Sequence, residues 1–407
     1  MRLRNILLSV IFCCFLLGPA GVLAAQVAGV SLPGWLTAED SSYLEGGVTE
    51  SKLVKNLSVK GFFDKKLQTS IETEVGNNVP MKATSLLANA SLQRTAITIS
   101  NGLFGWESYP SYYGSERVYS SSQDALYRFP SKRLDDAKKR LQSFVAGVCA
   151  VAKENPDIRF AVYVSDSASY SAANPVRGLV ASYRQITTSE IAAYMEEACD
   201  APNVSIVANP IDSSEEYAQK FYKSDHHWNM IGAAEGFDTI TDALGRTALG
   251  QVAYSEIDGP LFYGSDAREG LDLLYDVPFD IDCDFSGVEY REGDAWFAGD
   301  DHHTYFDASQ LEQQYKFYNL YWPRDGQLKG PGEGTMMLVS DSYGDCIRRL
   351  FALDRAHVIP KTTLHESSKT HDRLRQYIEE NSPDEVVFVG GPSNYFSFQK
   401  RNPDFFD

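Results

Sequence analysis

Beyond Pro130 the chain alternates short apolar runs with helical segments, and this alternation restricts the available folds more than any other feature. The runs at 158–164 (IRFAVYV), 204–208 (VSIVA), 335–339 (TMMLV), 357–359 (HVI) and 385–389 (EVVFV) have strand length but lack the polar alternation of a sheet with one wet face. Such strands need cover on both sides. Between them, Leu134, Leu141, Val145 and Val148 recur at helical spacing behind the potential cap Ser131, with Asp135 and Asp136 in the first turn, where the helix dipole favours them. Further helices are predicted over about 188–199 and from near Trp228. The pattern predicts a doubly wound α/β fold: a mostly parallel sheet with helices on both faces. The stretch 250–334, rich in Asp, Gly and aromatics and without helical period, predicts an irregular or β-rich insertion laid over the functional edge of the sheet.

Upstream, Arg2 and Arg4 precede an apolar run from Ile6 to Leu17 and the small-residue site Val22-Leu23-Ala24, which predicts a signal peptide over 1–24 and export. Gly18-Pro19 and the Ala-rich end favour cleavage over a retained anchor, and Cys13 and Cys14 lack the setting of a lipidated cysteine. A flexible lead-in is expected over 25–60 and the folded domain over 61–407. With 37 basic against 55 acidic residues the net charge is −18, which repels phosphate backbones and anionic lipid, so no nucleic-acid partner is expected. The mature protein is not expected to span a membrane. Of six cysteines, Cys149, Cys199, Cys283 and Cys346 lie beyond the signal segment. In an oxidising compartment they allow one or two disulfides; Cys149 and Cys199, each near the end of a predicted helix preceding a strand, are the candidate pair, although spacing alone sets no connectivity.

Open parallel sheets carry functional loops at the carboxyl ends of their strands. There, "MMLVSDSYGDCI" runs from a strand through Ser340-Asp341-Ser342-Tyr343-Gly344 into a helix, which exposes Ser342 as a candidate nucleophile. A serine at such a turn is more often a helix cap. A nucleophilic serine needs a base and a carboxylate to orient it, and Asp225 and His227 in "SDHHWN" supply both types two positions apart. The competing reading makes Asp225 a helix cap and the histidines surface residues. A second cluster, Asp300-Asp301-His302-His303, could join Asp225, His226 and His227 around zinc or manganese, or place His302 or His303 along a substrate cleft; the spacing lacks the i, i+4 arrangement of helical zinc sites. Phe104, Trp106, Tyr109, Tyr112, Tyr113 and Tyr119 form an aromatic-rich stretch that could stack on sugar rings or pack a loop onto the core.

The tetrad Asp225-His226-His227-Trp228, upstream of Ser340-Asp341-Ser342-Tyr343-Gly344, resembles the signature of secreted DHHW-motif proteins and, more distantly, of alginate O-acetyltransferase-like proteins of the SGNH-hydrolase-like group. The segments "NNVPMKATSLL", "FYGSDAREG" and "FAGDDHH" resemble further parts of that family, over most of the mature chain. The resemblance implies an SGNH-hydrolase-like (flavodoxin-like) α/β fold with circularly reordered motifs: the Asp-His element precedes the serine block. It also implies Ser342 as nucleophile, His227 as general base and Asp225 as its orienting acid. His226 matches a variable position with no assigned duty, and Ser340 stands where glycine is usual. For the oxyanion, Asn394 in "VGGPSNYF", with Gly391 beside it and Tyr343 after the nucleophile, are the candidate donors or substrate contacts. The implied activity is O-acetyl transfer to a cell-surface or secreted polysaccharide, or hydrolysis of its acetyl esters, without metal or other cofactor, with a membrane-bound acyl-donor protein as partner of a transferase. The alternatives are a non-catalytic glycan-binding or scaffold module on the same fold, with Trp106 and Tyr112 gripping the glycan, and a metal-dependent hydrolase using the Asp/His clusters.

Overall fold

The computed structural model describes residues 52–77, 79, 81–105, 108–113, 115–129, 134–177, 185–257, 261–272, 274–299, 326–361, 364 and 373–407, with 21, 25, 30, 31, 33 and 44 before them. The expected signal segment apart from Gly21, Ser131, Trp106 and the Asp300-Asp301-His302-His303 cluster lie outside the described residues. Two compact units divide the chain: the N-terminal part to position 106 with 111–115 and 268–273, and the remainder.

The first unit is helical: α1 (Leu53–Asn56), α2 (Val59–Phe63), α3 (Lys66–Asn77) and α4 (Lys82–Phe104). Helix therefore begins inside the expected lead-in. Ser58 starts α2 by accepting the Gly61 N–H at 2.9 Å, and α4 stops at Gly105, whose φ of 68° is left-handed and suits a residue without Cβ. Leu44, Ala83, Ala90 and Leu271 form its small core, against which Tyr112 packs.

The second unit opens with an antiparallel meander, β1 (Ser108–Pro110), β2 (Arg117–Ser120) and β3 (Ala125–Arg128), where Tyr109 and Tyr119 pair across β1 and β2. There follow α5 (Leu134–Glu154), β4 (Arg159–Val164), α6 (Thr188–Ala198), β5 (Val204–Ala208), α7 (Ser214–Lys220) and α8 (Met230–Ala243). The region after 250 supplies β6 (Tyr254–Glu256), α9 (Ser265–Glu269), β7 (Phe279–Ile281), β8 (Glu289–Glu292), β9 (Ala295–Ala298) and β10 (Leu328–Lys329). The chain then returns to alternation with β11 (Thr335–Ser340), α10 (Gly344–Phe351), β12 (His357–Lys361), α11 (Leu374–Asn381), β13 (Glu385–Gly390) and α12 (Pro392–Arg401).

Eight strands form one sheet in the order β5-β4-β13-β11-β12-β10-β8-β9, and the first five of these are parallel. Side chains alternate between two cores. Met336 and Leu338 of β11 and Val387 and Val389 of β13 face the core completed by Phe237 of α8 and Leu350 of α10. Met337, Val339, Val386 and Phe388 face the other, with Phe144 of α5 and Phe398 of α12. That double burial is why these runs are apolar throughout, and each such side chain contributes roughly 1.5–3 kcal/mol when sealed from water.

Among the described residues the expected insertion carries five short strands, of which three do not lie over the functional edge. β10, β8 and β9 continue the main sheet antiparallel beyond β12. They satisfy the backbone groups that β12 would otherwise leave open on that side. Because β13 returns between β4 and β11, the loops leaving these three strands meet at the carboxyl ends of the central strands, where open α/β sheets bind ligands.

Candidate active site

The serine turn comes directly off β11. Gly344 N donates to the Asp341 carbonyl at 3.0 Å and Asp345 N to the Ser342 carbonyl at 3.2 Å, which closes a tight turn into α10. Ser340 packs beneath it, for a Cβ at Gly344 would collide with Ser340 Oγ, so the larger residue at 340 is accommodated by having none at 344. Tyr343, not Ser342, occupies the cap position of α10, with no side-chain cap bond. The Ser342 hydroxyl goes elsewhere: it lies 2.6 Å from Nε2 of His227.

His227 sits in a turn pinched between α7 and α8. Phe221 and Trp228 form an isolated antiparallel bridge, and Asn229 N donates to the Lys220 carbonyl at 2.9 Å. Asn229 caps α8 through Oδ1, which accepts from Ile231 N at 3.0 Å and Gly232 N at 3.3 Å. The helix thus starts at Met230 rather than at Trp228, and Asp225 does not cap it. Instead Asp225 Oδ1 accepts from the His227 backbone N at 2.9 Å and from Nδ1 of its ring at 2.5 Å. With its proton on Nδ1, the neutral ring presents the Nε2 lone pair to the Ser342 O–H.

Asp225 is buried, yet its Oδ2 is satisfied by the Ser265 N–H at 2.5 Å. Burial alone would raise its pKa, but His227 and His226 beside it, with the His227 and Ser265 hydrogen bonds, hold the carboxyl well below the usual range. Gly264 makes the approach possible: a Cβ there would run into Asp225 Cβ and the Ser224 carbonyl. Asp276 steadies the same turn by accepting from Lys223 N at 2.9 Å and Ser224 N at 3.0 Å.

A pocket of about 270 Å³ opens over this relay, lined by Ser342, Tyr343, His226, Arg128, the 167–170 loop after β4, and Gly391, Ser393 and Asn394 after β13. Three of the expected oxyanion contacts prove to be differently engaged. The buried Asp341 carboxylate accepts from Tyr343 N and Gly391 N, both at 2.8 Å, and from Asn394 Nδ2 at 2.5 Å. Gly391 and Tyr343 have no other backbone N–H to give, so neither amide serves an oxyanion here; the close approach that Gly391 permits is made by Asp341. Asn394 keeps one amide hydrogen beyond this bond. Ser342 N has no acceptor among the described residues. His302 and His303 lie outside them.

Asp225, His226 and His227 bring potential metal-ligand atoms within 4.8 Å of one another. However, Arg128 Nη2 points at His226 Nδ1 from 3.1 Å and Asp225 Oδ1 is taken up by His227, so a cation in that trio would face a guanidinium. Cys149 and Cys199 are free thiols. Burial, then the neighbouring Cys199 thiol, push the Cys149 thiol up to about 12.

No residue pattern announces Arg128, Gly264, Ser265 or Asp276 as part of the site. Only the segment "FYGSDAREG", singled out for its family resemblance, carries a signal for two of them.

No protein-family model matches the chain, and no curated protein matches it. Solved structures do. A DHHW family protein from Eubacterium siraeum aligns with TM-score 0.52 at 11% identity, over 72% of this chain and 96% of its own. Bacillus cereus PatB1, solved with a sulfonyl adduct, aligns with TM-score 0.50 at 17% identity, over 67% of this chain and 95% of its own. The fold is therefore one found in a DHHW family protein, in agreement with the resemblance of Asp225-His226-His227-Trp228. The O-acetyltransferase domain of Pseudomonas putida AlgJ aligns at 13% identity, over 69% of this chain and 90% of its own, with a TM-score of 0.33.

Proposed function

We propose that the chain is an exported, serine-dependent acyl-transfer enzyme on an SGNH-hydrolase-like fold with reordered motifs, acting as an O-acetyltransferase or acetylesterase on a cell-surface or secreted polysaccharide. The observation that carries this reading is the continuous relay from Asp225 Oδ1 through His227 to Ser342 Oγ, with bonds of 2.5 and 2.6 Å, at the wall of a pocket. Ser342 attacks the acyl carbon while His227 Nε2 takes its proton, and Asp225 holds the Nδ1–H tautomer and stabilises the imidazolium that forms. The leaving oxygen takes that proton back, and the acyl group passes from Ser342 to a sugar hydroxyl or to water.

The pocket fits a polar acceptor: Ser167, Ser169, Ser393 and Tyr170 bring hydroxyl-bearing side chains to its wall. A sulfonyl adduct on a protein of this fold is in keeping with a reactive hydroxyl, since sulfonyl reagents capture activated serines. As a transferase outside the cytoplasm it would draw acyl groups from a membrane-bound donor protein. Among the described residues no helix is long and apolar enough to cross a membrane.

The test is acetyl release from a chromogenic acetate ester by the protein and by Ser342→Ala, alongside intact mass after treatment with a sulfonyl fluoride. The reading expects release and a single adduct with the wild-type chain and neither with the variant. Equal rates in both proteins would remove Ser342 as nucleophile.

A further inference from the structure

His226 takes no part in the relay, yet its ring centroid lies 3.9 Å from that of His227 and it lines the pocket beside Ser342. Its two nitrogens are in different situations. Nδ1 faces Arg128 Nη2 at 3.1 Å and Ser265 Oγ at 2.7 Å. A guanidinium only donates, so the nitrogen its N–H points at carries a lone pair. Asp225 Oδ1 is 3.5 Å from the same nitrogen, but that oxygen already accepts two N–H groups of His227. The Ser265 hydroxyl at 2.7 Å serves either tautomer, since it can donate or accept, whereas a proton on Nδ1 would sit against the guanidinium.

The hydrogen of the neutral ring is therefore on Nε2. Nε2 has no acceptor among the described residues, and it is not sealed from solvent. The side chain keeps 27% of its surface exposed at the pocket wall. Burial, then His227, with Arg128 and Arg117 behind it, holds the ring well below the usual imidazole range against the pull of Asp225, so the neutral form persists. Two of the donors expected of the pocket are already engaged, because Asp341 has taken the Gly391 and Tyr343 amides.

We propose that His226 is a further catalytic residue, its Nε2–H donating a hydrogen bond to the acyl carbonyl oxygen, and that Arg128 is the positioning residue that sets its tautomer. This rests on the acyl-transfer reading of the same site. As Ser342 Oγ bonds to the acyl carbon, the carbonyl π pair moves onto oxygen, and His226 stabilises that oxyanion while keeping its own proton. When the carbonyl re-forms, the leaving oxygen departs with the proton held by His227.

The amide of glutamine can place a donor where imidazole has Nε2; that of asparagine reaches only the Nδ1 position. His226→Ala and His226→Asn are expected to lower kcat on the order of 10²-fold with KM changed by less than about threefold, and His226→Gln to recover about tenfold of that loss. Arg128→Met should slow the wild-type background but not the His226→Ala background. Nitrogen-15 NMR of the histidine rings gives a readout independent of turnover: at neutral pH His226 should show a lone-pair Nδ1 and a protonated Nε2, and Arg128→Met should mix the tautomers. A protonated Nδ1, asparagine rescuing as well as glutamine, or His226→Ala within threefold of wild type while Ser342→Ala is inactive would each overturn the proposal. Should Ser342→Ala retain full rate, the acyl-transfer reading falls, and with it the role of His226, whatever its tautomer.

Discussion

Trp228 donates its indole N–H to the backbone carbonyl of Tyr343 at 3.2 Å, and so ties the turn that carries His227 to the turn that carries Ser342. Tyr343 answers with its hydroxyl, which donates to the His226 carbonyl at 2.7 Å. The indole is buried between Tyr163 and Tyr343, 5.6 Å from each ring, and Gly236 leaves room for it. Two loops separated by more than a hundred residues are thereby held in register for the 2.6 Å contact between His227 and Ser342. The last residue of the DHHW tetrad is best understood as a tie between them.

Trp228→Phe tests this tie, because it keeps most of the ring packing and removes the donor. The buried Tyr343 carbonyl loses a partner, which costs about 1–3 kcal/mol of stability. If the bond also holds register, kcat should fall about tenfold or more beyond what unfolding explains. Denaturant midpoints and kcat measured on the same preparations separate the two, and an unchanged kcat would mean the two turns hold their register without the indole bond.

Asp225→Asn leaves the shape of the turn nearly intact but places an amide against His227 Nδ1. An amide N–H there favours the other tautomer, with the proton on Nε2, and the ring can then no longer accept from Ser342. The expected loss is on the order of 10³–10⁴-fold in kcat with stability little changed. A loss below tenfold in acetyl release would remove Asp225 as the orienting acid.

The α/β character of the second unit was legible because strands buried on both sides, such as β11 and β13, have to be apolar at successive positions, and such runs stand out in a chain. The addition of β10, β8 and β9 was not, since a two-residue strand like Leu328–Lys329 has no period to read. The Ser342 and Asp225-His227 elements showed because each packs reactive side chains into a few consecutive positions. Their supports did not. Ser265 reaches Asp225 across 40 positions and Arg128 reaches His226 across 98, and nothing local to either residue marks the contact. Asp341 was visible as part of the serine motif, but its hold on Gly391 and Asn394, which takes up the Gly391 amide and one hydrogen of Asn394, depends on β13 folding beside β11.

Asp166, buried after β4, predicts how stability changes with pH. Burial raises its pKa from 3.8 to about 6, against hydrogen bonds from Thr188, Ser167 and Ile211 that favour the charged form. The folded state then binds the proton more tightly than the unfolded chain. Its contribution is fully present below about pH 4 and is lost as pH rises through about 6. Asp225 has the opposite sign, but its folded pKa is so low that it does not change between pH 5 and 7. The wild-type chain should therefore gain more in denaturant midpoint than Asp166→Asn when pH is lowered from 7 to 5. Equal gains would show that Asp166 does not titrate in that window. Asp276, also raised to about 6, contributes the same sign in both proteins, and His226, held low in the fold, contributes the opposite sign in both, so neither alters the comparison.

The thiols of Cys149, on α5, and Cys199, at the C-terminal cap of α6, are neighbours at the edge of the second core. If the protein works outside the cytoplasm, as proposed, this contact is where an oxidant of the disulfide class would act: two thiols would become one disulfide as the oxidant is reduced to two thiols. The bridge would close a loop of 199 − 149 = 50 positions and restrict the unfolded chain by up to about 4 kcal/mol. Protein purified from an oxidising compartment should have an intact mass about 2 Da below the fully reduced mass, and a peptide map should join Cys149 to Cys199. Reduction should lower its melting temperature, and Cys149→Ser should abolish both the mass difference and the response to reductant. An oxidised chain with these two cysteines still reactive to a thiol reagent after unfolding would show that they stay reduced.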